Sequence, residues 1–448
     1  MRDFFEGHLS AEEAKRYIVH AFEVPAGAGR LRLHFSYEPA RVGGVENLLC
    51  LSLFDPAGFR GAGHRSGNVQ EVDISTSQAT PGYRPGELPP GRWLVEIDTH
   101  MIMPGAPCYY RLDVSTQAGP EPAADPPPPP VPQVAGRGAG WYRGDLHAHT
   151  VHSDGAWDVA GLLAAARAYR LDFVTLTDHN TVSGLDEMAR AASADLLTMG
   201  GVELTTFWGH ALSLGTREWI DWRTRPGGRT MPDIATEVTQ AGGLFVIAHP
   251  GSVGDPICTG CAWRYADMMP GPARAVEVWN GPWDGDSGNE GSLALWYDWL
   301  NEGCRMVATA GTDAHSFEPA LEVGFSVVYA EALSEAAILE AIRRGHLYLS
   351  AGPRVTLSAR TAEGSHALMG DALPAGAAAE VTAGWEGCPS GSRLRLVADG
   401  RPLVEWEAEG GGSRALRLSP GQARWCLLEV RDARGRMLAL TNPIFWDK

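Results

Sequence analysis

The first 118 residues alternate apolar and polar side chains in short runs. Alternation with a period of two buries one face of a β-strand and leaves the other face outside. Turn signals such as Asp55-Pro56-Ala57-Gly58 separate the runs. The clearest runs lie at 30–37, 48–54, 92–97 and 109–114. Short strands at this spacing predict an antiparallel β-sandwich over residues 1–118.

The pattern changes between residues 141 and 350, where apolar residues at helical spacing alternate with compact apolar runs. The helical spacing predicts helices at 160–169, 188–193, 234–241 and 293–300. Ser334 is a favourable N-cap for a last helix that ends near Arg344. The compact runs predict strands at 171–176, 196–202, 244–248, 275–279 and 306–310. This alternation indicates a parallel sheet, and six or seven units in 210 residues favour an α/β fold, a distorted TIM-like (β/α)7 barrel.

Two further segments complete the predicted organisation. Residues 119–140 contain an unbroken proline run from Pro126 to Pro130, which predicts a semi-rigid linker. After Ser350 the helical spacing stops, and strand-like runs with turns such as Asp399-Gly400 predict a second β-sandwich over residues 351–448. We therefore expect a multidomain chain with a central barrel and a β-sandwich on either side.

Histidines and carboxylates follow most of the central strand runs. In a barrel of parallel strands the C-terminal strand ends open onto one face, so we expect these groups to meet there. Imidazole with carboxylate suits Zn, Mn or Fe(II), and a glutamate can bridge two ions. The pattern predicts a hydrolase with two or three divalent metal ions. The groups concerned are Asp145, His147, His149, Asp178, His179, Glu203, His249, Asp313 and His315.

Charge and hydropathy restrict the classes of partner. Residues 141–350 contain 13 Arg and no Lys against 27 Asp plus Glu, a net charge of 13 − 27 = −14, which argues against general nucleic-acid binding. No apolar run approaches the ~18 residues of a membrane span. The first residues lack the apolar core of a signal peptide, which favours a cytoplasmic location. The sequence does not indicate an oligomeric state.

Cysteines and N-terminal histidines carry weaker signals. Seven cysteines, an odd number, do not indicate a disulfide framework. Cys258 and Cys261 form a lone CxxC, for which zinc binding, redox or disulfide chemistry and an ordinary loop all stay open. The five histidines before residue 119 are scattered, and we expect most of them at the surface. They are His8, His20, His34, His64 and His100.

The central motifs resemble those of the PHP family, the polymerase and histidinol phosphatase domains. The resemblance covers residues 141–350, and its spacing is most similar to the branch of the CehA/McbA-type metallohydrolases. The end of the chain at 438–443 is also typical of that branch. The motifs are His147-Ala148-His149-Thr150 with Ser153-Asp154-Gly155, Thr177-Asp178-His179-Asn180, Gly201-Val202-Glu203, His249-Pro250 and Asp313-Ala314-His315.

The resemblance implies three metal positions. The first would be held by His147, His149, Glu203 and Asp313. The second would be held by Glu203, His210 and His249, with a loop histidine as the alternative role for His210. The third would be held by Asp154, His179 and His315. Asp154 stands where some family members have a histidine.

Divalent ions lower the pKa of bound water and supply a hydroxide nucleophile. We therefore predict a phosphatase or phosphodiesterase that acts on a small or nucleotide-like phosphate ester. Asp178 is expected to orient His147 or His149 or to carry a proton, and Asn280 and Arg264 to contact the substrate. An amide, carbamate or ester hydrolase with the same metals is one alternative. A catalytically weak binding domain is the other.

Overall fold

The protein is described by a computed structural model that covers residues 1–119, 137–316 and 323–447. Most of the predicted linker at 119–140 lies outside the described residues. The N-terminal region contains ten strands and the short 3-10 helix Ala11–Glu13. The strands are β1 (Arg2–Leu9), β2 (Tyr17–Val24), β3 (Ala28–Glu38), β4 (Arg41–Val42), β5 (Val45–Glu46), β6 (Leu48–Asp55), β7 (Gly58–Gly63), β8 (Val69–Ser75), β9 (Gly91–Met101) and β10 (Cys108–Ala118).

Eight of these strands form two antiparallel sheets, ordered β1-β10-β3-β8 and β2-β9-β6-β7. The four predicted strand runs are confirmed as β3, β6, β9 and β10. Alternate residues such as Leu33 on β3 and Leu51 on β6 belong to one apolar core. The other face of the second sheet carries buried polar residues, among them Glu96 and Asp98. Arg223 of the central region lies 3.3 Å from Glu96, so this polar face contacts the central region.

The central region alternates strands with five helices, and a short 3-10 helix spans Ala266–Met268. The helices are α1 (Val159–Ala168), α2 (Leu185–Arg190), α3 (Met231–Gln240), α4 (Asn289–Asn301) and α5 (Glu335–Arg343). The strands are β11 (Gly140–Asp145), β12 (Phe173–Thr175), β13 (Leu197–Met199), β14 (Gly201–Thr205), β15 (His210–Leu214), β16 (Leu244–Ile247), β17 (Ala275–Asn280), β18 (Val307–Gly311), β19 (Phe325–Ala330) and β20 (Leu347–Ser350).

Side-chain caps fix the start of three helices. Asp158 accepts a hydrogen bond from the Gly161 N–H at 2.8 Å at the start of α1. Thr230 begins α3 with a capping box. Ser334 accepts from the backbone N–H of Ala337 at 3.3 Å, so the predicted N-cap of α5 is confirmed. Such caps satisfy N–H groups that have no partner inside the helix.

The central strands lie in two sheet segments, and not all of them are parallel. One sheet has the order β14-β15-β16-β17-β18, and the other contains β13-β12-β11-β19-β20. Strand β15 is antiparallel to both neighbours, and β19 is antiparallel to β11 and β20. Isolated parallel bridges, His179 to Glu203 and Ala148 to Ala314, connect the segments at the C-terminal strand ends. A closed (β/α)7 barrel stays a prediction.

The expectation of a uniformly parallel sheet is therefore wrong for β15 and β19. Only residues 206–209 connect β14 to β15, and so short a connection permits a hairpin but no parallel crossover. The predicted strand at 196–202 is also divided, because Gly200 separates β13 from β14 and the two strands enter different sheets.

The C-terminal region consists of strands. They are β21 (Arg354–Thr361), β22 (His366–Leu368), β23 (Ala372–Leu373), β24 (Ala379–Cys388), β25 (Arg393–Ala398), β26 (Arg401–Glu407), β27 (Gly410–Leu418), β28 (Trp425–Arg431), β29 (Met437–Thr441) and β30 (Ile444–Trp446). One sheet has the order β22-β21-β24-β27. The order β20-β29-β28-β25-β26 continues the central sheet, because Tyr348 pairs with Thr441 and Ser350 with Ala439.

The hydrogen-bonded sheet is thus continuous across the predicted boundary at 350/351. That boundary and the two β-sandwich assignments stay predictions. Among the described residues, none of the helices combines the length and the apolar character that crossing a membrane requires.

Candidate metal centre

The predicted ligands meet where the central strands end. The bridge from Ala148 to Ala314 holds the segment after β11 beside the segment after β18. The bridge from His179 to Glu203 holds the segment after β12 beside strand β14. Asn180, His249 and Asp313 have positive φ angles of 57°, 27° and 51°. Non-glycine residues rarely adopt this conformation, and where they do they cluster at functional sites. The backbone here is therefore shaped for the placement of side chains.

Glu203 lies at the middle of the site and is completely buried. Its two carboxylate oxygens face two different sets of imidazoles. Oε2 lies 3.1 Å from Nε2 of His147, 3.2 Å from Nε2 of His149 and 3.0 Å from Nδ1 of His179. Oε1 lies 3.0 Å from Nδ1 of His210 and 3.2 Å from Nε2 of His249. This is the arrangement that a bridging carboxylate requires.

Ligand atoms within 4.8 Å of one another define three groups around Glu203. The first group consists of the four residues predicted for the first metal position, His147, His149, Glu203 and Asp313. The second consists of His179, Glu203 and His210, with His179 in place of the predicted His249, although His249 also contacts Glu203. The third consists of the three residues predicted for the third position, Asp154, His179 and His315, together with His149.

Divalent ions fit this donor set. Buried polar atoms in proteins nearly always have a hydrogen-bond partner. Two buried ring nitrogens here have none: Nε2 of His210 and Nδ1 of His249. The carboxylates of Glu203, Asp154 and Asp313 carry a summed charge of about −3, so two divalent ions would leave a net charge of about +1.

Neighbouring imidazoles keep the carboxylates of the site ionised. Burial opposes ionisation of Glu203, but the imidazoles of His179 and His147 hold the pKa of its carboxyl well below the usual range. Burial likewise opposes the charged form of His147, yet Asp313 and Glu277 raise the pKa of its imidazole well above the usual value. The carboxylates and the imidazoles of the buried site therefore stabilise each other's charged forms.

Glu277 is a site residue that the motifs do not include. Its Oε1 lies 3.0 Å from Nδ1 of His147, while Nε2 of the same ring faces Glu203. Oε2 of Glu277 accepts from the His249 N–H at 3.1 Å. All six residues of β17 are buried. A glutamate inside the otherwise apolar run at 275–279 was a signal for this role in the sequence.

Asp178 was predicted to orient His147 or His149 or to carry a proton. It makes no hydrogen bond to either histidine, and the role as a proton carrier stays a prediction. It accepts at 2.7 Å from the N–H of Thr150 and at 2.7 Å from Oγ of Ser153. It therefore holds the turn that follows His149, and this turn carries Asp154. Its expected contribution to the site is indirect.

Asn280 and Arg264 were both predicted to contact the substrate. Asn280 donates to Glu277 at 3.0 Å and to Asp313 at 3.2 Å, so it supports carboxylates at the site. Arg264 is exposed and is not among the residues that line the cavity over the site. Asp145 accepts from the Thr312 N–H at 2.9 Å, which fixes the segment before Asp313.

A cavity of about 470 Å³ opens over the site. Its wall includes His64, Arg65 and Met101 of the N-terminal region. The expectation that most N-terminal histidines lie at the surface is wrong for His64 and His100, which are buried. Cys258 and Cys261 also line the cavity and form a disulfide.

Comparison with known proteins gives partial similarities, and no family model matches the chain. An uncharacterized protein of Methanocaldococcus jannaschii is 27% identical over 150 residues, which cover 31% of this chain and 81% of that protein. A 5'-3' exoribonuclease of Haemophilus influenzae is 37% identical over 67 residues, 14% of this chain and 24% of that protein.

Among solved structures, the chain is similar to a two-domain protein of Bacteroides vulgatus that contains a predicted PHP-like metal-dependent phosphoesterase. The TM-score is 0.41 at 18% identity, over 72% of this chain and 100% of that chain. None of these similarities assigns a reaction to this chain.

Proposed function

We propose that this chain is a metal-dependent phosphoesterase that hydrolyses a small or nucleotide-like phosphate ester at a centre of two or three divalent ions. The observation that carries the proposal is the buried Glu203, whose two oxygens face two sets of imidazoles. With it we propose a PHP-type (β/α)7 barrel of the CehA/McbA-like branch between two β-sandwiches. The two parallel bridges that connect the sheet segments support this fold.

The chain would hold the ions through the three groups described above. Divalent ions, when bound, lower the pKa of water and stabilise negative charge that develops on oxygen. Glu277 orients the ring of His147 through Nδ1 and leaves Nε2 directed at the centre. Asn280 holds Asp313 in place from the end of the neighbouring strand β17. Zn, Mn and Fe all suit the mixed imidazole and carboxylate donors.

The cavity favours a small phosphorylated substrate. Its volume of about 470 Å³ lies in the range that accommodates small molecules. Arg65 lines this cavity and directs one guanidinium N–H to the carbonyl oxygen of Pro81. Arginine recognises phosphate through parallel hydrogen bonds and a fixed positive charge. We therefore propose Arg65, rather than Arg264, as the cation that contacts the phosphate.

One observation favours a second candidate, hydrolysis of a carbamate, amide or carboxylic ester. Much of the cavity wall is apolar, with Val45, Leu48, Met101 and Ile257 among the lining residues. Such a wall suits an uncharged substrate as well as the organic part of a phosphate ester.

The experiment is a comparison of substrates on one preparation. The full chain is freed of metal with a chelator, reloaded with Zn, Mn or Fe(II), and assayed with p-nitrophenyl phosphate, bis-p-nitrophenyl phosphate and an aryl carbamate. We expect turnover of at least one phosphate ester and none by the Glu203→Ala variant. Carbamate turnover without phosphoesterase activity would overturn the proposal in favour of the second candidate.

A further inference from the structure

A second group of metal-binding side chains lies in the N-terminal region, outside the three groups around Glu203. Cys50 on β6, His64 directly after β7 and His100 on β9 have ligand atoms within 4.8 Å of one another. Their exposed fractions are only 2%, 9% and 1%. Sγ of Cys50 lies 3.6 Å from Nδ1 of His64. One thiol and two imidazoles, which are soft or borderline metal ligands, thus lie close together in the buried interior.

The register of the sheet explains this convergence. Cys50 pairs with Asp98 across β6 and β9, and Leu51 pairs with Gly63 across β6 and β7. Because side chains alternate between the faces of a strand, Cys50 lies on the face opposite to the core residue Leu51. This face contacts the central region, where the ring centroid of His179 lies 4.6 Å from that of His64.

His100 supplies an independent observation. Both of its ring nitrogens are buried and neither has a hydrogen-bond partner. The rings of His64 and Phe207 lie 4.7 Å and 5.0 Å away and are tilted nearly at right angles to it. A buried imidazole without any partner is unfavourable, and packing alone would be served better by an apolar side chain. The ring nitrogens of His100 are therefore available to bind a ligand.

We propose that Cys50, His64 and His100 form a binding site for a zinc-class divalent ion, distinct from the centre around Glu203. One thiolate sulfur and two imidazole nitrogens are donors that zinc prefers, and three protein ligands leave a fourth position for water.

Charge can be balanced at this site. On binding, the Cys50 thiol releases its proton to solvent, and the thiolate with a divalent ion leaves a local charge of about +1. Asp98 is the cross-strand neighbour of Cys50. Burial and the nearby Glu96 raise the pKa of its carboxyl well above the usual value. A cation bound beside it would favour release of that proton, and the resulting carboxylate would supply the remaining negative charge. The bound ion would also fix His64, which forms part of the wall of the catalytic cavity.

Cobalt substitution tests this inference separately from the proposed reaction. The three groups around Glu203 contain no cysteine, so they give no sulfur-to-cobalt charge-transfer band in the near ultraviolet. We expect the chelator-treated full chain, reloaded with Co²⁺, to show such a band. Cys50→Ser should abolish it and lower the bound metal by one ion per chain, and His100→Asn should weaken it. Glu203→Ala should retain the band.

Two controls use other cysteines. Cys108→Ser alters a fully buried free cysteine of the same region, and the double variant Cys258→Ser, Cys261→Ser removes the cavity disulfide. Both should keep the band. A band that survives Cys50→Ser, or no band in a wild-type chain that binds cobalt, would overturn the proposal. If Cys50→Ser does not fold, zinc X-ray absorption of the double variant decides: sulfur at about 2.3 Å supports the site, and nitrogen and oxygen alone refute it.

Discussion

The carboxylate of Glu277 lies 3.0 Å from Nδ1 of His147, on the side of the ring opposite to Glu203. A carboxylate behind a metal-binding imidazole fixes the orientation and tautomer of the ring and makes it a better ligand. Glu277 also accepts from the backbone of His249 and from the side chain of Asn280. It therefore connects three strand ends that carry site residues.

We expect Glu277→Gln to weaken metal binding at the first position by about 10–100-fold, because the amide cannot match the negative charge behind His147. Competition with a chromophoric chelator measures this affinity. Glu302→Gln, which changes an exposed glutamate, is the control and should bind metal as the wild type does. An unchanged affinity in Glu277→Gln would contradict the assigned role.

Glu203→Ala tests the bridge. Because both oxygens of Glu203 face imidazoles, the variant should lose at least one ion per chain and lose its activity. Metal analysis after gel filtration measures the ion content, and circular dichroism verifies the fold. Retention of the full metal complement would show that the carboxylate does not bridge.

Arg65→Ala is expected to raise KM for a phosphate ester by about 10–100-fold, since a hydrogen bond to a charged group contributes about 1.5–3 kcal/mol. The matched control is Arg264→Ala, which removes an exposed arginine that does not line the cavity. Steady-state kinetics on the metal-loaded protein measure both variants. A larger effect from Arg264 than from Arg65 would reverse our assignment.

Arg431 ties the C-terminal region to helix α4. Its side chain lies 2.5 Å from Glu290 and 2.8 Å from Glu429, with exposed fractions of 11%, 58% and 6%. Arg431→Ala leaves the buried Glu429 with only the more distant Arg395, at 4.0 Å, so we expect the free energy of unfolding to fall by roughly 3 kcal/mol. Urea denaturation measures the change. Arg434→Ala, at an exposed position, should alter stability by less than about 0.5 kcal/mol.

Asp221 should make stability depend on acid pH. Burial opposes its ionisation, but hydrogen bonds from Arg223 hold the pKa of the Asp221 carboxyl below its usual value. A carboxyl with a depressed folded pKa stabilises the fold above its unfolded pKa, and this contribution is lost as the pH falls through the folded pKa.

Asp221→Asn should therefore be less stable than the wild type at pH 7, by roughly 1 kcal/mol for a partly exposed pair. The difference should shrink as the pH falls below about 4, where the unfolded carboxyl begins to bind its proton. Urea unfolding of both proteins at several pH values measures it. A difference that does not change with pH would rule out the ionic contribution of Asp221.

The sequence predicted well those features that depend on neighbouring residues. The strand runs before His179, His249 and Asp313 placed these side chains at strand ends, and the N-cap Ser334 marked the start of α5. Each of these signals is contained in a short stretch of chain, where hydrophobic period and capping chemistry act directly.

Features that depend on distant pairing were not predictable in the same way. Strand β15 is antiparallel because it forms a hairpin with β14. The spacing of apolar residues in these two strands has no distinctive period that would have predicted the pairing. The burial of His64 and His100 depends on contact between two regions far apart in the sequence. A scattered histidine has no local signal that separates a solvated ring from a buried one.

The continuity of the sheet from β20 into β29 has a practical meaning for work on this protein. A fragment that ends at residue 350 would expose the backbone groups of 348–350 that now pair with 439–441, and an uncovered strand edge invites self-association. The pattern of the sequence changes at residue 350, but the hydrogen-bonded sheet continues across this position. Truncation there would divide one hydrogen-bonded sheet, so a fragment for expression should retain the C-terminal strands.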